Sequence, residues 1–373
     1  MAASEYEMIS SVEIQGYRGF ERFELAGLGR LNLLVGTNNS GKTSVLEGIF
    51  LLMSAGDPAS LWQVLSRRGE RLVTEVAGSP VTLRTEAEER HLFRGHEIQP
   101  GSGFALSGTN QTPSVAFAVT KTSAKNMSEA LLGADDDGPL PRLSLDVTGY
   151  PQPAVPRIPL TGTGGLSEAF ESPRWSARRA GETPIFIASE SLTIDELVGL
   201  WNSVFLTSAE SLVLRALQFI DPEIERIAVQ VATANSYYRS GSRGGFIVKR
   251  RGTERPIPIG GLGDGMWRML VMAIAITQCR GGVLLVDEID TGLHYSVMSD
   301  MWKLIFNAAK ELDVQVFATT HSYDCVYSLA QICADADERN PITVQRIEPG
   351  KSKAIPYAQN EIRIAADREI EVR

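Results

Sequence analysis

The stretch GTNNSGKT, residues 36–43, constrains this chain more than any other. LNLLV precedes it, short and apolar apart from Asn32, and SVLEGIFLLM follows, with Val45, Leu46, Ile49, Phe50 and Met53 at helical spacing. The pattern predicts a strand, a glycine-rich turn and a helix with one apolar face. Gly36, Thr37, Asn38, Asn39, Ser40, Gly41, Lys42, Thr43 and Ser44 then form a loop at a helix N-terminus. Backbone N–H groups there can close around phosphate oxygens, and the helix dipole favours an anion. The spacing G-x-x-x-x-G-K-[ST] puts Lys42 on the β- and γ-phosphates and the Thr43 hydroxyl on Mg²⁺.

A complement lies far downstream. GGVLLVDEID, residues 281–290, reads as a buried strand with carboxylates at its C-terminal edge, where parallel sheets bind ligands. Asp287 is expected to share the metal with Thr43, and Glu288 to take a proton from the attacking water, since phosphoryl transfer needs charge neutralisation and an oriented nucleophile. VQVFATTHS, 314–322, is a second apolar strand and ends in His321, a candidate γ-phosphate contact. GGLGDGMWRML, 260–270, is glycine-rich just before a helix and offers Gly263, Asp264 and Gly265.

From residue 257 apolar strands alternate with helices, which implies an α/β fold with a parallel sheet covered on both faces. Residues 8–35 look strand-rich, 57–68 helical with Asp57 as N-cap and Pro58 at the first position, and 193–219 helical with an apolar face. Prolines crowd 135–184, read as an irregular insertion. The expected divisions are 1–134 (loop-bearing part), 135–256 (insertion and short helical arm) and 257–373 (acidic strand and His321). Three cysteines without a CxxC pair point to a reducing cytoplasm and away from zinc or disulfides. The acidic start, MAASEYEMIS, is unlike a secretory signal, and no apolar run is long enough to span a membrane, so no membrane partner is expected. A net charge of -9 excludes a uniformly basic nucleic-acid coat but leaves local patches, 174–179 and 237–255, the latter with Lys249, Arg250 and Arg251.

Phosphate loop, glycine motif opening a helix, Asp-Glu, then histidine: this order resembles the ATP-binding-cassette (ABC) ATPases. The opening VEIQGYRGFERFEL…LNLLVGTNNSGKTSVLEGIF looks like the RecF, SMC and overcoming-lysogenization-defect (OLD) branch. GLGDGMWRML and LLVDEIDTGLHYSVMSDMW…VFATTHSYDC are similar to stand-alone ATPases near the OLD proteins. The likeness covers 9–54 and 257–330. It implies a P-loop ABC-ATPase head, with a mixed or parallel central sheet flanked by helices, that uses ATP and Mg²⁺. It also implies an ATP-dependent homodimer, in which Gly263, Asp264 and Gly265 of one copy face the nucleotide of the other and Asp290 couples the two sites.

This chain departs from that pattern in carrying glycine at 263, where the family usually has a serine whose hydroxyl bonds the γ-phosphate. A glutamine linking nucleotide to arm has two candidates, Gln99 and Gln111. OLD nucleases carry a Toprim domain, for which the 52 residues after His321 leave no room. The expectation is therefore an ATPase that is not itself a nuclease and that regulates a separately encoded, nuclease-like or DNA-directed partner in phage defence or DNA repair, with direct DNA contact open. Alternatives are a slow or non-hydrolysing scaffold controlling a partner toxin, and a transporter's nucleotide-binding subunit. A GTPase is disfavoured because TKTS at 120–123 lacks the guanine-reading Asp.

Overall fold

The computed structural model describes residues 8–75, 83–109, 113–121, 143–161, 164–171, 184–189, 192, 194–229 and 245–372, and the findings concern these. The central sheet runs, in spatial order, β11 (Ile185–Ile187), β15 (Val283–Val286), β16 (Gln315–Thr319), β3 (Leu31–Val35), β17 (Ile342–Arg346) and β18 (Ile355–Ala358). The first five are parallel and β18 is antiparallel to β17. Every residue of β3, β15 and β16 is buried, as expected of parallel strands covered on both faces. Thr319 pairs with Leu34, and Val286 with Ala318. That register brings the segments after β3, β15 and β16 to one edge of the sheet.

A second, antiparallel sheet is ordered β2 (Phe20–Ala26), β1 (Ser11–Tyr17), β6 (Gly103–Ser107), β7 (Ser114–Lys121), β8 (Leu143–Tyr150) and β9 (Arg157–Pro159). Helix α1 (Lys42–Met53) lies between the two sheets, touching β1, β6 and β7 on one side and β15 and β16 on the other. The expectation of a single apolar face on α1 is corrected by this placement: residues 45–52 are all buried, because both sides of the helix meet a sheet. Helix α2 (Pro58–Arg67) starts as expected, with the Asp57 carboxylate accepting from Ala59 N at 3.1 Å.

Two small antiparallel sheets complete the strands: β10 (Leu166–Ser167), β5 (Leu83–Ala87) and β4 (Arg71–Glu75); and β12 (Ile224–Val229), β13 (Phe246–Arg250) and β14 (Ile257–Pro258). The remaining helices are α3 (Ile194–Val204), α4 (Ser208–Gln218), α5 (Asp264–Gln278), α6 (Tyr295–Leu312), α7 (Tyr323–Ile332) and α8 (Gln359–Asp367).

Several expectations change. The helix expected over 193–219 is two, broken where Leu206 takes φ 61° and the Thr207 hydroxyl accepts from Ala209 N to start the second. Both pack on α5, with Leu197, Trp201, Val204, Leu212 and Leu217 in the main core, so the pair is not a projecting arm. The division expected at 134 does not separate sheets, because β8 continues the ladder from β7 through eight residue pairs. The expected irregular insertion holds β8, β9 and β10 in its described part. Cys279, Cys325 and Cys333 are all buried, and burial raises each thiol, Cys279 and Cys333 to about 12.

Candidate nucleotide site

Gly36 has φ 147°, Asn39 φ 61° and Gly41 φ 99°, so the loop after β3 curls tightly before α1 begins. An added Cβ at Gly36 would sit 2.3 Å from Ile347 O, which leaves room only for glycine. No side chain caps α1, whose N-cap is Gly41, so its first N–H groups point out of the loop. Ser40 Oγ is buried and has no hydrogen-bond partner among the described residues. Unpartnered donors around a glycine-lined cradle at a helix N-terminus fit a phosphate.

Lys42 is folded back into this cradle, its Nζ donating to Gly36 O at 2.8 Å and Thr37 O at 2.9 Å. Burial lowers its pKa, with Asp287 and Glu288 acting the other way. A bound anion would offset that cost of burial.

The edge formed by β3, β15 and β16 supplies the rest. Thr43 Oγ1 lies 3.1 and 3.3 Å from the two Asp287 carboxylate oxygens. These are hard oxygen donors of the kind Mg²⁺ takes, and they fit the expected cation. Glu288 has φ 47° and its side chain is 43% exposed, turned away from the strand. Its Oε1 lies 3.8 Å from His321 Nε2. His321 Nδ1 lies 3.3 Å from Lys42 Nζ, so the ring sits between the Lys42 ammonium and the Glu288 carboxylate. Lys42, Thr43, Asp287, Glu288 and His321 are thus brought together.

Three residues that the motifs did not mark hold this edge in place. Thr319 Oγ1 donates to Asp287 Oδ1 at 2.5 Å and accepts from Glu288 N at 2.8 Å. Thr320 Oγ1 donates to Asp290 Oδ1 at 2.7 Å. Arg268, 2% exposed, donates to Asp287 O at 2.6 Å, Glu288 O at 3.0 Å and Ala188 O at 2.9 Å. Burial pulls its guanidinium down to about 10, against the pull of Asp287, Asp290 and Glu288. The sequence did carry signals for these: a paired threonine before His321, and a lone cation inside an otherwise apolar helix.

The glycine segment lies at the surface, with Gly260, Gly261, Gly263 and Asp264 exposed and Gly265 half-buried. Gly263 precedes α5 with φ 94° and ψ 166°, a conformation almost confined to glycine. The backbone itself therefore accounts for glycine at this position, where the ABC resemblance leads one to expect a serine. Within the same chain Gly265 packs on the Asp290–Leu293 turn, where an added Cβ would meet Gly292 O at 3.0 Å. Gln99 is not among the residues lining the cleft of about 690 Å³ beside the phosphate loop, and Gln111 lies outside the described residues. That cleft is bordered by Arg18 and Arg68, which share the buried Glu47 of α1 at 2.9 and 2.6 Å.

Of the expected basic patch at 237–255, residues 237–244 lie outside the described residues; in the rest, Arg250 pairs with Asp221 at 2.6 Å, and Arg251 lies 3.5 Å from Glu225. Residues 174–179 lie outside the described residues. No helix among the described residues is long and apolar enough to cross a membrane.

Comparison with known proteins finds a protein called an ATP/GTP phosphatase in Helicobacter pylori, 21% identical over 350 residues, covering 88% of this chain and 90% of that protein. Among solved structures, an SMC head bound to the C-terminal winged-helix domain of ScpA matches with TM-score 0.47 and 13% identity, over 94% of this chain and 98% of that one. The SMC head domain from Thermotoga maritima matches with TM-score 0.45 and 11% identity, over 94% and 99%. At these TM-scores the likenesses assign nothing to individual residues. A family profile matches residues 31–324, which span the phosphate loop, the acidic strand and His321. The chain belongs to the family described as "AAA domain, putative AbiEii toxin, Type IV TA system".

Proposed function

We propose that the chain is an ATPase whose copies pair around ATP and Mg²⁺ and separate after hydrolysis. The observation that carries this reading is the meeting of Lys42, Thr43, Asp287, Glu288 and His321 at one sheet edge. Lys42 and the loop N–H groups hold the β- and γ-phosphates. Thr43 and Asp287 hold Mg²⁺, which when bound neutralises charge on the phosphate oxygens. Glu288 orients and deprotonates water, and His321, fixed between Lys42 and Glu288, contacts the γ-phosphate. The exposed Gly263–Gly265 segment, at the N-terminus of α5, is the surface offered to a second copy's nucleotide, and Asp290 answers through Thr320. The name of the Helicobacter relative supports nucleotide hydrolysis. The GLGDG motif favours placement near the OLD branch, acting on a separate nuclease-like or DNA-directed partner in defence or repair.

The test pairs sizing with turnover. Glu288→Gln is expected to trap a dimer in ATP and Mg²⁺, and Lys42→Ala to stay insensitive to ATP. Wild-type turnover in both variants would end the catalytic assignments; a dimer indifferent to nucleotide would end the switch alone. The family's description favours a second reading, a toxin held in check by a partner. Growth arrest on expressing this chain alone, absent with Lys42→Ala, would select it.

A further inference from the structure

A second cavity, of about 640 Å³, opens beside β5, where Glu86, Glu88, Glu89 and Glu97 meet the apolar side chains of Leu72, Ile98 and Leu143. It shares His96 with the cleft near the phosphate loop but none of that loop's residues. Two of its carboxylates have protein partners. Glu88 is matched by Arg90 at 2.6 Å and lies 3.4 Å from His91 Nε2. Glu86 accepts from the Thr161 hydroxyl at 2.9 Å.

Glu89 is different. Its residue is 2% exposed, and its Oε2 has no hydrogen-bond partner among the described residues. A buried carboxylate oxygen left without a donor is costly, and native structures seldom leave one without a ligand or a reason. Burial, reinforced by Glu86 and Glu88, pushes this carboxyl up to about 8, although its own backbone N–H and the cavity-lining Arg90 pull the other way.

The cavity's size and lining narrow the ligand. Its volume suits a small organic molecule and is far larger than a bare ion needs. No group of three His, Cys, Asp or Glu side chains among the described residues is arranged to hold a metal. Carboxylates beside aliphatic walls match an amine on a hydrocarbon chain, with methylenes against Leu72, Ile98 and Leu143 and the cationic head at the acids. We propose that this cavity binds an alkylammonium ion, either a free polyamine or the side chain of a lysine, with Glu89 ionised in the complex, its proton released to solvent, as the counter-charge. The site goes beyond the nucleotide reading and does not depend on it.

Equilibrium dialysis of the full chain with labelled spermidine at physiological salt tests this, with Nα-acetyl-lysine methylamide as competitor. Saturable binding of one spermidine per chain is expected, weakened about 10-fold or more in Glu89→Gln, the loss of one charge-assisted contact. Leu72→Arg, at a position 43% exposed on the cavity rim, places a tethered guanidinium at the site and is expected to abolish binding without touching Glu89. Lys42→Ala is expected to bind spermidine normally. Spermidine binding that the lysine derivative cannot displace identifies a free polyamine; binding of the lysine derivative alone identifies a protein lysine. The proposal is overturned if neither probe binds saturably, if both cavity variants bind like wild type, or if Mg²⁺ displaces spermidine equally well at equal charge.

Discussion

Arg268 reaches from the helix that follows the exposed glycine segment to the backbone of Glu288, donating to its carbonyl at 3.0 Å and to that of Asp287 at 2.6 Å. A surface that a second copy would touch is thereby tied, through one buried guanidinium, to the two acids that would handle metal and water.

Arg268→Ala should therefore damage turnover more than binding. Expected is a fall in kcat of about 10- to 100-fold from misplacement of Glu288, with little change in KM for ATP. Folding stability should drop by about 3 kcal/mol, because three carbonyls, that of Asp287 buried and those of Ala188 and Glu288 part-buried, lose a charged donor. Steady-state kinetics and urea unfolding check both. An unchanged kcat in a folded variant would show that Arg268 is structural only.

Gly263→Ser supplies the hydroxyl that the ABC resemblance leads one to expect but imposes a side chain at φ 94° and ψ 166°. Nothing lies within 4 Å of the added Cβ, so the penalty is purely conformational, about 1–3 kcal/mol. The expected result is lower stability and weaker ATP-driven pairing. Faster turnover at unchanged stability would contradict this account.

Glu89 makes stability depend on pH. Its folded-state pKa, about 8, lies above the ordinary 4.5, so between those values the folded chain keeps a proton that the unfolded chain has released. Stability from this group is complete below that window and is lost as pH rises through it, by at most about 1.4 kcal/mol per pH unit. Glu47, raised by burial, acts in the same direction, so Glu89→Gln should flatten the profile without abolishing it. Parallel urea-midpoint profiles for wild type and variant would show that Glu89 does not titrate in this range.

The basic strand offers a further check. Reversing Lys249, Arg250 and Arg251 to glutamate should lower stability, since Arg250 and Arg251 face Asp221 and Glu225, and should leave retention on DNA unchanged. A clear loss of salt-dependent DNA binding would instead establish the patch as a nucleic-acid contact.

The sequence by itself determined what is local. A cradle of backbone N–H groups at a helix N-terminus is built from consecutive residues, so 36–44 was legible in spacing alone, as was the unbroken apolar run of β15. Only the tertiary structure decided what meets across the chain. Thr43 and Asp287 are 244 residues apart, and Lys42 and His321 are 279 apart. Nothing in spacing says that β16 lies between β3 and β15, and it is that order which sets Thr319 on Asp287, Thr320 on Asp290 and His321 on Lys42. The break at Leu206, the antiparallel sheet covering the other side of α1, and the buried Oε2 of Glu89 were hidden for the same reason. Each depends on which distant surfaces share a neighbour, and burial is a property of the whole fold rather than of any window along it.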